Sequence, residues 1–77
     1  EITLINAKIG NGNIYEMSIF DSKGDLIRIL ENRFLHPGNY TYSWDRKNEN
    51  GKRVPHGMYY CIVNSGKSKN ALKLLVQ

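Results

Sequence analysis

Trp44-Asp45-Arg46-Lys47-Asn48-Glu49-Asn50-Gly51-Lys52-Arg53-Val54-Pro55-His56-Gly57-Met58-Tyr59-Tyr60 is the stretch that decides the fold. An aromatic strand ends at Trp44, a polar turn closes on Gly51, and a second turn from Pro55 to Gly57 launches another aromatic run. Proline fixes φ and glycine admits a positive φ, so the segment reads as strand, long corner, strand. It specifies architecture rather than chemistry.

Working outward, the chain predicts strands throughout and no helix. Asn39-Tyr40-Thr41-Tyr42-Ser43-Trp44 alternates, with Tyr40, Tyr42 and Trp44 on one face. Ile14 to Phe20 places Tyr15, Met17 and Ile19 together and stops at the polar turn Asp21-Ser22-Lys23-Gly24-Asp25. Leu26 to Leu30 is the returning strand, and Asn32 to Gly38, with His36-Pro37-Gly38, reads as a loop. Leu26, Ile27, Leu30 and Phe34 also fit a helical face, but the β-branched residues and the neighbouring strands favour an extended segment. Gly57 to Val63 is the next strand, Asn64-Ser65-Gly66-Lys67 a hairpin turn, and Asn70 to Val76 a closing strand whose Leu72, Leu74 and Val76 face together. Ile2 to Ile9 is a first strand, ended by Gly10-Asn11-Gly12-Asn13. Short strands joined by Gly, Asn and Pro turns predict an all-β fold, a small antiparallel immunoglobulin-like β-sandwich of about six to seven strands. A small barrel is the second possibility.

Seventy-seven residues make a single domain, 1–77, near the lower size at which a hydrophobic core alone sustains a fold. A chain that starts within an apparent strand, without an initiator Met, is expected to be part of something longer. Apolar residues are 40% of the chain, enough for a globular core. The longest apolar runs, about five residues, fall far short of the roughly 20 needed to span a bilayer, so membrane insertion is not expected. One cysteine, Cys61, forbids an internal disulfide and reads as a buried core thiol. Eleven Lys and Arg against seven Asp and Glu give +4, but the cations scatter over several loops, which argues against a nucleic-acid site.

Three parts of the chain carry a family resemblance. Ile19 to Leu30 is one, Trp44-Asp45 with Asn50 to Tyr59 the second, and Lys73-Leu74-Leu75-Val76 the third. Together they look like the immunoglobulin-like domain named after the flagellar hook-capping protein, over nearly the whole chain and in order. The family pattern has a strand ending in Asp and a Gly turn (here Asp21 and Gly24) and a Trp-Asp-Gly corner (Trp44, Asp45). It continues with a turn through Gly51 and Pro55, a Gly-x-Tyr strand (Gly57, Tyr59), and a last strand of Lys and apolar residues (Lys69, Lys73, Leu74, Val76). Arg46 stands where Gly is usual, so an altered corner backbone is expected. The resemblance implies a carboxy-terminal module of an exported or cell-surface bacterial protein. It extends to the carboxy-terminal sorting domains read by type IX secretion machinery, which implies sorting, anchoring or domain spacing, with secretion machinery or neighbouring domains as protein partners. The last strand is then the sorting or contact element. A hook-capping scaffold making subunit contacts and a carbohydrate-binding module of a secreted enzyme are the alternatives.

No residues form a catalytic or metal constellation. An EF-hand with its glycine at Gly51 would place Arg46 at the first ligand and Gly57 where the bidentate Glu belongs, so Asp45, Asn48 and Asn50 read as turn caps. His36 and His56 have no further ligand at zinc spacing. The serines lack a glycine elbow and a His-carboxylate pair. The expectation is a nonenzyme with no cofactor and no small-molecule substrate. Tyr59-Tyr60-Cys61 imitates the Tyr-x-Cys of antibody domains, which makes Tyr59 a candidate tyrosine corner. Tyr40, Tyr42 and Trp44 are expected to fill the core rather than form an exposed platform for sugar.

Overall fold

Alternating apolar and polar residues lay down six strands and no helix in the computed structural model, which describes residues 1–77. They are β1 (Thr3–Ile9), β2 (Asn13–Asp21), β3 (Leu26–Leu35), β4 (Gly38–Trp44), β5 (Gly57–Asn64) and β6 (Lys69–Val76). β1 pairs with β4 in a two-stranded sheet, and the others form a four-stranded sheet in the order β3-β2-β5-β6, every pairing antiparallel. The arrangement is the expected small antiparallel sandwich. Its core is built from the inward faces of both sheets: Ile5, Ala7 and Ile9 of β1, Tyr15, Met17 and Ile19 of β2, and Tyr59 and Cys61 of β5. Leu35, Trp44, Val54 and Val76 close it. Burial of these side chains, at about 1.5 to 3 kcal/mol each for the larger ones, supplies the main drive for folding.

One expected boundary is wrong. The loop placed from Asn32 to Gly38 is strand as far as Leu35, which is fully buried and pairs with Asn13. The polar run Glu31-Asn32-Arg33 hides this strand in the sequence. Its ladder comes from β2, whose partner residues lie far back in the chain, and Leu35 anchors its end in the core.

The same strand explains the helix-like spacing. Met17 pairs with Glu31 but Ser18 with Ile29, and Ile19 pairs with Arg28 but Phe20 with Leu26. Leu30 and Ile27 are therefore extra residues in two β-bulges, which reset the alternation every three positions. Both pack against the core.

Candidate functional site

Three tyrosines fix the loops that enter their strands. Each is the third residue of its strand, and each hydroxyl donates to the carbonyl four residues back: Tyr15 to Asn11 at 2.8 Å, Tyr40 to His36 at 2.8 Å, and Tyr59 to Pro55 at 2.7 Å. The Tyr59 clamp has the geometry of a tyrosine corner. The other two escaped the sequence reading, although Gly38-Asn39-Tyr40 repeats the Gly-x-Tyr of Gly57-Met58-Tyr59 and also has a proline just upstream, one residue before the glycine rather than two. Gly57 and Gly38 have φ of 151° and 155°, a region that side-chain-bearing residues rarely adopt. No atom would meet a Cβ at Gly57, so it is the backbone that demands glycine there.

The corner between β4 and β5 spends its polar atoms on itself. Asp45 Oδ1 accepts from the Lys47 amide at 3.0 Å and from Arg28 at 2.9 Å. Asn48 Oδ1 accepts from the amides of Asn50 and Lys52, both at 3.0 Å, and Gly51, with φ of 81°, donates its amide to the Asn48 carbonyl. Trp44 is fully buried, donates Nε1–H to the Lys47 carbonyl at 3.0 Å, and meets Tyr59 edge to face at 5.5 Å. Asp21 plays the same part at the β2–β3 turn, where Oδ1 accepts from the amides of Lys23 and Asp25, both at 2.9 Å, around Gly24 at φ 91°. These carboxylates and amides organise backbone.

The corner bends at Arg46. This residue takes the left-handed conformation itself, with φ of 62°, at a cost of about 1 to 2 kcal/mol that glycine would avoid. In return its side chain ties the corner to β1: Nε donates to the Thr3 hydroxyl at 2.8 Å and a terminal nitrogen meets Glu1 at 3.0 Å.

The two flanks of the sandwich differ. On the β3/β4 flank, cross-strand register puts Arg28, Glu31 and Arg33 on the inward side of β3, opposite Ile19, Met17 and Tyr15. Glu31 accepts from the Tyr42 hydroxyl across the sheets at 3.1 Å. Glu49 covers the outer backbone of β3: its amide donates to the Ile27 carbonyl at 3.1 Å and its carboxylate accepts from the Ile29 amide at 3.1 Å. Burial, and then the hydrogen bond to Glu31, push the Tyr42 phenol up to about 12. The β1/β6 flank has no comparable cover. Leu72 faces inward, paired with Cys61, yet is 40% exposed, and a cleft of about 150 Å³ opens between Asn6 to Ile9 on one side and Val63, Asn70 and Leu72 on the other.

The closing strand is part of the core at one end and surface at the other. Val76 is buried and Leu74 half-buried, whereas Lys69 and Lys73 are exposed on the outer face. Removing the strand would uncover Tyr59 and Cys61. Tyr40 and Tyr42 are half-buried, pack against the core and have their hydroxyls bonded, so these two rings do not form a solvent-facing platform. Burial raises the Tyr59 phenol, helped by the Asp21 charge, and pushes the Cys61 thiol up to about 11. A thiol so placed is a packing group, not a nucleophile. The outer face of the four-stranded sheet carries a shallow groove of about 500 Å³ floored by Phe20, Tyr60 and Ile62 and rimmed by Glu16, Asp21 and Lys69.

Comparison with known proteins follows the same architecture. The family described as the FlgD Ig-like domain matches residues 9–69. The basal-body rod modification protein FlgD of Salmonella typhimurium is 33% identical over 60 residues, covering 78% of this chain and 25% of that protein. The protein of the same name from Salmonella typhi matches equally, at 33% over 60 residues. The chain thus spans about a quarter of the length of the curated relatives it matches.

Proposed function

The chain belongs to the FlgD Ig-like domain family, and from that premise we propose that it is a noncatalytic domain of a flagellar hook-capping scaffold, exported and working through protein contacts. The family match over residues 9–69 carries this reading. The geometry supports it from another side: Asp21, Asp45, Asn48 and the three clamping tyrosines are engaged with the chain's own backbone, which leaves surface and strand edges as the means of action. On this reading residues 1–77 act as one immunoglobulin-like domain of a longer scaffold. The roles of Asp21, Gly24, Trp44, Asp45, Gly51, Pro55, Gly57 and Tyr59 are to hold the turns that fix the edges in place. Sorting by type IX machinery draws no support from either comparison, and the burial of Val76, with Leu74 half-buried beside it, makes the closing strand a poor detachable signal.

Deletion of the coding segment in the native host tests the reading. The expected result is loss of hooks, seen by electron microscopy of isolated basal bodies, with secretion of unrelated exported proteins unchanged. Normal hooks together with retention of one exported protein inside the cell would overturn it in favour of sorting.

A further inference from the structure

The turn Gly10-Asn11-Gly12-Asn13 between β1 and β2 contains one of two Asn-Gly steps in the chain, the other being Asn50-Gly51 in the β4–β5 corner. Glycine has no Cβ to shield its amide, so in such a step its nitrogen can reach the amide carbon of the preceding side chain. That attack needs an N–H free to lose its proton, and here the two steps part. Gly51 donates its amide to the Asn48 carbonyl at 3.0 Å, whereas the Gly12 amide finds no acceptor on backbone or side chain. Asn64-Ser65, where a small residue also follows asparagine, is held as Gly51 is: the Ser65 amide donates to the Ser68 carbonyl at 2.8 Å.

The surroundings of the first step add to the contrast. Asn11 and Gly12 are both exposed to water. The Tyr15 hydroxyl donates to the Asn11 carbonyl at 2.8 Å, and this is the carbonyl of the very peptide whose nitrogen would attack. A donor on that oxygen draws electron density from the nitrogen and makes its N–H a better acid. Packing favours glycine at the step, since a Cβ on Gly12 would stand 3.0 Å from Phe34 Cζ.

We propose that Asn11 is a site of spontaneous deamidation and isoaspartate formation, and that the folded corner protects Asn50 from the same reaction. The Gly12 nitrogen loses its proton to water or hydroxide and bonds to the side-chain amide carbon of Asn11. The bond from that carbon to the side-chain nitrogen breaks, and ammonia leaves. Water then opens the cyclic imide at either carbonyl. One opening leaves an ordinary aspartate; the other leaves isoaspartate, in which the chain runs through the former side chain and the former Asn11 carbonyl carbon becomes a free carboxylate. In that product the Tyr15 hydroxyl faces a charged oxygen on a lengthened backbone. Both products add a negative charge to a loop that joins the two sheets.

The test incubates the purified protein in mildly alkaline buffer, with and without urea, and follows its tryptic peptides by mass spectrometry, using electron-transfer fragmentation to tell isoaspartate from aspartate. Cleavage after Lys8, Lys23, Lys47 and Lys52 places Asn11 in residues 9–23 and Asn50 in residues 48–52. The native protein should deamidate roughly five- to tenfold faster at Asn11 than at Asn50, the factor expected when one site must first give up a hydrogen bond. In urea the two rates should converge, because Gly12 and Gly51 are then equally free. Asn11→Gln, a change at an exposed side chain whose extra methylene makes ring closure slow, should remove isoaspartate from residues 9–23. Equal rates at the two steps in the native protein, or a faster rate at Asn50, would overturn the proposal. So would isoaspartate that survives in Asn11→Gln, which would place the reaction at Asn13. A difference that persists unchanged in urea would overturn it as well, since neighbouring sequence and not the folded turn would then set the rates.

Discussion

The β3/β4 flank and the β1/β6 flank solve the edge problem in opposite ways. β3 is interrupted by two bulges, turns charged residues inward, and has its outer backbone taken up by Glu49. Each device blunts an exposed strand edge. β1 and β6 are regular along their whole length, and their only guards are lysines. The difference teaches that a sandwich of this size can close one flank with polar side chains from a distant corner while the strands of the other keep a regular ladder. Closure on the β3 side is built from side chains distant in sequence, since Arg28 meets Asp45 and Ile29 meets Glu49.

The largest effect should come from breaking the corner on which the closed flank is hung. Trp44→Ala removes a fully buried ring and its contact with Tyr59. A loss of about 3 to 5 kcal/mol is expected in urea denaturation, close to the whole stability of a small domain. A near-unchanged midpoint would show that the flank does not depend on the corner.

Tyr59→Phe should cost about 1 kcal/mol, because the part-buried Pro55 carbonyl loses its donor. Tyr40→Phe, whose bond to His36 is exposed, should cost less, since water can replace the hydroxyl there. Equal losses would mean that the two clamps do not differ in solvent access.

Glu49→Ala is the direct test of edge cover. The stability loss should stay below about 1 kcal/mol, because its ion pair with Arg28 is half-exposed and screened. The main readout is hydrogen exchange: the Ile29 amide should exchange faster while the amides of β5 do not change. Unaltered exchange at Ile29 would remove Glu49 from the guard of β3.

Alkaline pH sharpens the comparison through Tyr42, which belongs to the closed flank. Folding raises the Cys61 thiol from 9.0 to about 11 and the Tyr42 phenol from 10.0 to about 12. The unfolded chain therefore loses these protons first, and stability falls as pH rises through that window. The thermal midpoint should hold below the unfolded thiol value and then decline. Tyr42→Phe should flatten the upper part of the decline, and an identical profile in that variant would detach Tyr42 from it.

Much of this molecule was legible in the sequence because its signals are local. Alternation of Tyr15, Met17 and Ile19, the turn residues at Asp21 to Asp25, and the Pro55-His56-Gly57 entry to Tyr59 each act within a few residues, so strand, turn and inward face follow from spacing alone. The Asn48 and Gly51 turn was readable for the same reason. The tertiary structure decided what depends on partners far away in the chain. Glu31-Asn32-Arg33 is strand because β2 supplies the ladder, and Ile27 and Leu30 are bulges because of register with that same strand. Arg46 keeps a glycine-like backbone while its side chain grips Thr3. Which edges are covered and which stay free is settled only when two strands are laid over four, since coverage belongs to the pair of sheets and no single segment encodes it.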